Sequence, residues 1–425
     1  MLSGEYPPRW GGMGSVVFHL AGHLAQSGHR VTVITRNHDA AVNDSSLIPS
    51  VEGVKVIMVP WFPLPMQFTR SYGKKALKAL YSLNTIDPVD VVHLHLPMIS
   101  LSTKQVEKIQ REVGPVVSSL HGSWLGERDG MKLAAKHREA ATWRNPNDLA
   151  ILLSGGWYAR YEGQAARASD ICVANSHATK EDFVTRYRVN PDNCEVVHWG
   201  VDVKIFRPLN QDHEEQQVAH EALREKYDCA DEASLSGHPT TEKPLILAVG
   251  RLVARKGFMT LLRAMPAVLA AIPGARLVIV GRGHMKKKLR RTARRLGIDH
   301  AVKIRSGMSF EDLAQLFRTA DLAAYPSYYE GQGLIPLEAM ASGTPVVTVD
   351  HGPLPEMVDA SVGRLYTLGK VESLAQAIIA ELQSSETMVR KAKAGRERVL
   401  SRFTFDHNAD DFVEIYRRAI SAKIA

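Results

Sequence analysis

Apolar residues in this chain gather in short runs of strand length, some broken by a small or polar residue, and the stretches between them carry apolar positions at helical spacing. That pattern predicts parallel strands buried on both faces and joined by crossover helices. In the first half the runs are 31–35, 89–94, 116–120, 171–174 and 196–198; in the second they are 245–249, 277–280, 302–304, 322–325 and 346–349. Val16, Val17, Leu20 and Leu24 share one side of a predicted helix that Gly28 can stop. Phe258, Leu261, Leu262, Met265, Val268 and Leu269 repeat the arrangement after the loop 250–257 and ahead of a Pro273-Gly274 turn. Each half therefore holds a strand–loop–helix–strand unit. The polar segment 210–243 has no strand pattern, only a short helix around 221–227, and it separates the halves. A last helix, about 408–422, puts Phe412, Ile415, Tyr416 and Ile420 on one face. The expectation is an α/β chain of two doubly wound, Rossmann-like domains. One place strains it: Met1-Leu2-Ser3 leaves almost no room for a first strand of about five residues before the glycine loop, which predicts a stunted strand or a start further upstream.

Length agrees with two domains, since 425 residues exceed one ordinary core. A hydrophobic share of 45% with 23% charged residues is that of a globular chain, not a disordered one. There is no apolar run of membrane-spanning length and no leader-like start, so the expected location is cytoplasmic. Cys172, Cys194 and Cys229 are odd in number and lack metal-ligand spacing; they read as reduced thiols, with no metal site. The net charge of +8 points to anionic partners without choosing among them. The densest basic run, 286–295, is first a solvated helix face. Its alternatives are an acidic acceptor or an anionic membrane, touched peripherally at the inner face, while nucleic acid is set aside.

The chemistry concentrates in 326–347, where a glycine loop lies between two glutamates and opens a helix that leads into a buried strand. Pro336 suits the first helical position, which puts Glu330 in the loop and Glu338 in the first turn. Gly331 and Gly333 let a backbone come close and leave N–H groups free, and the helix N-terminus favours a phosphate. Arg251 and Lys256 share the loop after the strand 245–249 and can hold a pyrophosphate, one as a planar fork and the other as a point charge. Gly11-Gly12-Met13-Gly14 precedes the first helix. A dinucleotide fingerprint fails there, because Val17 stands where the third glycine belongs and Arg36 ends the next strand in place of an acid. His121 stands at the carboxyl end of the strand 116–120, where ligands gather in open parallel sheets. His93 and His95 read as structural.

These motifs resemble the retaining, nucleotide-sugar-dependent glycosyltransferases of GT-B fold, in glycosyltransferase family 4 and glycosyl transferases group 1. The start Glu5-Tyr6-Pro7-Pro8 followed by Gly11-Gly12 is similar to the glycogen-synthase-like branch. The resemblance implies two Rossmann-like domains facing a cleft: 1–207 on the acceptor side, completed by a crossover helix 405–425, and 208–404 on the donor side, with 208–243 as linker. It implies a hexosyl group moved from a nucleotide sugar to a hydroxyl acceptor, with no cofactor beyond that donor substrate. His121, Glu330, Lys256 and Arg251 would be catalytic. Donor contacts would fall on Gly11, Gly12, Arg251, Lys256, Glu330, Gly331, Gly333, Leu334 and Glu338, the first glutamate on the sugar and the second on the ribose. Two residues depart from the family pattern: Gln332 where an aromatic is usual and Trp199 where asparagine is common. No Asp-x-Asp occurs, so the diphosphate charge is expected to be met by Arg251, Lys256 and helix N-termini, independently of metal. A sugar-nucleotide epimerase, a phosphorylase of the same plan and an inactive nucleotide-sugar-binding protein are the alternatives.

Overall fold

The computed structural model describes residues 1–7, 11–37, 49–62, 68–140, 145–210, 213–230 and 242–424. Among these, two sheets form, every pairing in them parallel. The first contains β1 (Leu2–Ser3), β2 (Val31–Arg36), β3 (Val54–Val59), β4 (Val92–Leu96), β5 (Val116–Leu120), β6 (Ile171–Ala174) and β7 (Cys194–Val196), in the order β3-β2-β1-β4-β5-β6-β7. The second contains β8 (Leu245–Val249), β9 (Arg276–Val280), β10 (Val302–Arg305), β11 (Leu322–Tyr325), β12 (Val346–Val349) and β13 (Gly363–Tyr366), in the order β10-β9-β8-β11-β12-β13. Strand order reverses beside β1 and β4 in one sheet and beside β8 and β11 in the other. Such reversals open a crevice at the carboxyl ends of the strands, where ligands bind in doubly wound sheets.

The central strands are buried along their whole length, as β5, β8, β11 and β12 show, which is why their sequences are mostly apolar, with only the small polar residues Ser118, Ser119 and Thr348 among them. The edge strands β3 and β13 carry half-buried positions, and neither was among the strands expected from the sequence, although β3 does contain the apolar run 56–59. Two others moved. The run at 89–94 pairs as 92–96, with Val92 opposite Val116 and Leu96 opposite Leu120, and that at 196–198 pairs as 194–196, with Cys194 opposite Cys172. Register follows the neighbouring strand, and local hydrophobicity does not specify it. The first strand is short, as expected: two residues in the middle of the sheet, with Leu2 facing both Ile34 and Leu94.

The chain divides into two compact units, Met1–Arg128 with Pro146–Gly200 and Phe405–Ala425, and Asp129–Asn145 with Val201–Thr404. This differs from a division at 207/208 in two ways. The boundary falls at Gly200, and residues 129–145 belong with the second unit. The reason is Glu139, fully buried there, whose carboxylate accepts from the Met259 and Thr260 N–H groups at 2.9 and 2.8 Å and from the Thr260 hydroxyl. Arg263 donates to the His137 carbonyl and Lys288 to that of Glu139, and His137 stacks on Tyr328. The helix expected around 221–227 runs Glu214–Lys226, and the last one runs Phe405–Ile424. Pro8 and the polar residues 231–241 lie outside the described residues.

Candidate functional site

In the second unit, the loops that follow β8 and β11 meet at the reversal of strand order. Gly257 joins them: its φ is +72°, and a Cβ there would fall 1.9 Å from the Pro326 carbonyl oxygen, so only glycine permits this backbone approach. The Tyr328 N–H and the Ser327 hydroxyl both donate to the Arg255 carbonyl, at 2.7 and 3.2 Å. Fastened in this way, the loops bring Lys256 onto the Glu330 carboxylate as a largely buried ion pair. Tyr325, at the end of β11, completes the cluster. Its hydroxyl accepts from Lys256 Nζ at 2.9 Å and donates to Glu330 Oε1 at 2.6 Å.

Electrostatics keep this cluster finely balanced. Burial drives the Lys256 ammonium down to about 8 against the pull of Glu330, with Arg255 and Arg251 adding to the depression. Burial likewise opposes ionisation of Glu330, but Lys256 and Arg255 outweigh it and hold the carboxyl below its ordinary value. Burial first, then the Glu330 charge, raises the Tyr325 phenol well above its usual range, so it stays protonated. Arg251 is exposed, and its guanidinium has no partner among the described residues.

Two helix N-termini border the cluster, and only one is open to an anion. The helix Phe258–Ala271 already has the Glu139 carboxylate on its first N–H groups. The helix Leu334–Ala341 begins after Gly333, at φ +108°, with no side-chain cap and no acid in its first turn. Its free N–H groups make the better phosphate seat. The helix starts two residues earlier than Pro336 suggested, because Gly333 turns the chain and a proline is tolerated anywhere in a first turn that lacks N–H partners. Glu338 is therefore its fifth residue, beyond the first turn. Burial pushes this carboxyl up to about 7, and its Oε2 is buried without a hydrogen-bond partner. An unsatisfied buried oxygen of this kind suits a ligand hydroxyl. Gly331 and Leu334 flank the same turn, half-buried.

In the first unit, His121 follows β5, its N–H donating to the Leu96 carbonyl at 3.2 Å. The imidazole stacks on Trp199 at 5.3 Å and 7° between planes, and Trp199 stacks on Phe412 at 5.1 Å and 8°. Trp199, unusual by family pattern, is thus the middle plate between His121 and the last helix. Burial lowers the His121 ring to about 3, so it is neutral throughout the physiological range. Its Nε2 lies 3.0 Å from His95 Nδ1. Both nitrogens of His93 are engaged, with Ser119 Oγ and the Tyr416 hydroxyl at 2.7 Å each, which is a structural role. Gly11 and Gly12 open the helix Gly12–Gln26, which has no side-chain cap, and the Glu5 carboxylate lies beside Gly11.

The sequence motifs thus cover Arg251, Lys256, Glu330, Gly331, Gly333, Leu334 and Glu338 in one unit and Gly11, Gly12 and His121 in the other. They missed Tyr325, which reads only as the end of a strand, along with Glu139 and the contact of His95 with His121. Among the described residues no group of three His, Cys, Asp or Glu side chains is placed to hold a metal ion. No described helix is long and apolar enough to cross a membrane.

Residues 10–205 match the family described as Glycosyltransferase Family 4, and residues 232–398 match Glycosyl transferases group 1. An uncharacterized glycosyltransferase of Methanocaldococcus jannaschii is 28% identical over 99% of this chain and 98% of its own. Glycogen synthase of Mycobacterium tuberculosis is 27% identical over 99% of this chain and 94% of its own. Among solved structures, sucrose-phosphate synthase from Thermosynechococcus elongatus superposes with a TM-score of 0.73 at 23% identity, covering 99% of this chain and 96% of that one. The parallel seven- and six-stranded sheets are those of the GT-B fold, and with both halves matched, the chain belongs to glycosyltransferase family 4, glycosyl transferases group 1, whose members transfer a sugar from a nucleotide sugar.

Proposed function

We propose that this protein is a retaining hexosyltransferase in which Lys256, Arg251 and the open start of the helix Leu334–Ala341 hold the donor diphosphate. The observation that carries the reading is the Lys256–Tyr325–Glu330 cluster at the reversal of strand order between β8 and β11. Arriving phosphates offer Lys256 a stronger counter-charge than Glu330 does, which frees Glu330 to accept from the sugar hydroxyls. Glu338 then takes the ribose, whose hydroxyls satisfy its unpartnered oxygen. His121 braces the transferred sugar. The acceptor oxygen bonds to the anomeric carbon as the bond to the phosphate oxygen breaks, and the acceptor's proton leaves with the departing diphosphate. Two cations and a helix N-terminus meet the charge that develops there, Lys256 from a buried position where its charge acts most strongly. In this reading they do so without a metal. The acceptor is a hydroxyl of a glycan, a lipid-linked sugar or a small molecule.

Lys256→Ala should lower turnover on the order of a hundredfold or more, since it removes a charge that matters most as the diphosphate departs. Glu330→Gln should impair transfer and leave binding of the free nucleotide diphosphate nearly intact. Arg251→Lys should be poorly tolerated, because an ammonium cannot reproduce the planar fork. Steady-state transfer and calorimetric diphosphate binding, each with and without chelator, test the set. Full activity in Lys256→Ala, or complete loss of wild-type activity on chelation, would overturn it.

A further inference from the structure

We propose that His95 is a positioning residue that fixes the tautomer of His121, keeping the proton on His121 Nδ1 so that this nitrogen is a hydrogen-bond donor and not a base. The argument starts from the contact at 3.0 Å between His95 Nδ1 and His121 Nε2. A single proton lies in that bond, and a neutral imidazole has only one N–H. If His121 were the donor, the proton of His95 would sit on Nε2. That atom is buried and has no hydrogen-bond partner among the described residues. A buried N–H without an acceptor forfeits its hydration with nothing in return, and orphaned donors are rarer in folded proteins than under-used acceptors. If His95 donates, only a bare lone pair is left at its Nε2. The second arrangement wins. It makes His121 Nε2 the acceptor and leaves the His121 proton on Nδ1, the nitrogen with no partner among the described residues.

The surroundings support a fixed ring pair. Burial holds both His95 and His121 neutral, which removes the doubly protonated alternative. The ring of His95 lies against His93 at 4.1 Å between centroids, and His93 is itself held at both nitrogens, so His95 has little freedom to turn. On its other side His121 rests on Trp199. Within the transfer reaction proposed above, on which this consequence rests, a donor at Nδ1 hydrogen-bonds a sugar oxygen and takes no proton from the acceptor.

The test is a long-range proton–nitrogen correlation spectrum of the full chain labelled with ¹⁵N-histidine, with His121 assigned from its loss in His121→Asn. The expected result is protonated Nδ1 and bare Nε2 on both His95 and His121. A proton on His121 Nε2, or an imidazolium at neutral pH, overturns the proposal from the wild-type protein alone. His95→Leu should release His121 into a tautomer mixture and lower kcat on the order of tenfold with KM little changed. His95→Asn, whose amide nitrogen can take the place of Nδ1, should restore both the single tautomer and most of kcat. An unchanged His121 spectrum in His95→Leu would also overturn the proposal. A correct tautomer in a chain that transfers no sugar would sink the functional reading and leave the role of His95 standing.

Discussion

At Lys256 burial and an adjacent carboxylate pull in opposite directions, and the outcome, a pKa down to about 8, sets a testable limit on activity. An ammonium that must be charged to hold a diphosphate is lost as pH rises through its pKa. We expect kcat/KM for the nucleotide sugar, which reports the free enzyme, to fall above pH 8 with a single ionisation. The bound diphosphate adds negative charge beside Lys256, so the corresponding limb of kcat should lie at higher pH. Glu330→Gln removes the group that supports the charged form, and the kcat/KM limb should then move below that of the wild type. Profiles of both parameters over pH 5 to 10 check this, and a limb that stays in place in Glu330→Gln would show that another group governs it. His121, already lowered to about 3, should contribute no acid limb near neutrality.

Among the helices, what lies at the N-terminus separates two that look alike in sequence. Both Phe258–Ala271 and Leu334–Ala341 follow a glycine, and both lack a cap of their own. Glu139 occupies the first and no side chain among the described residues caps the second, so the two differ in their use for an anion. The helix Lys286–Arg295 poses the opposite question, of cations crowded on one element. Its Arg290 and Arg294 line a recess of about 250 Å³ together with Lys303 and Arg305 of the edge strand β10, and Asp299 is the only acid there. No ion pair involves these four cations among the described residues. Replacing Arg290, Arg294 and Lys303 by Gln should weaken binding to vesicles rich in phosphatidylglycerol, steeply so at low salt, and leave donor binding unchanged. Co-sedimentation at two ionic strengths reads the effect. Unaltered lipid binding and unaltered turnover would return this helix to a merely solvated face.

For the molecule as a whole, the last helix, Phe405–Ile424, belongs with the first unit although the second precedes it in sequence. Asn408 ties it there, accepting from the Gly200 N–H at 2.6 Å and donating to the His198 carbonyl at 2.7 Å, while Phe412 stacks on Trp199 and His93. Phe412→Ala opens a cavity in fully buried surroundings and should cost about 3–5 kcal/mol, most of it in the first unit. Calorimetry should show the transition of that unit shifted down and the other unmoved; a uniform shift would mean that the two unfold as one. Much of this architecture was legible beforehand. A parallel strand buried on both faces is mostly apolar, and a covering helix must repeat every three or four residues, so β5, β8, β11 and β12 and the helices around them can be read from local pattern. The neighbourhood of Lys256 and Glu330 was legible for a similar reason: glycines that admit a close backbone, and charges of the kind that suit a phosphate, occur there at short fixed spacing. Tertiary structure alone decided the edge strands β3 and β13, the exact registers, the allegiance of residues 129–145, the third member of the cluster at Tyr325 and the bond from His95 to His121. In each case the deciding partner lies far along the chain, as Glu139 does from Thr260, and a lone glutamate, tyrosine or histidine carries no local mark of the contact that folding will give it.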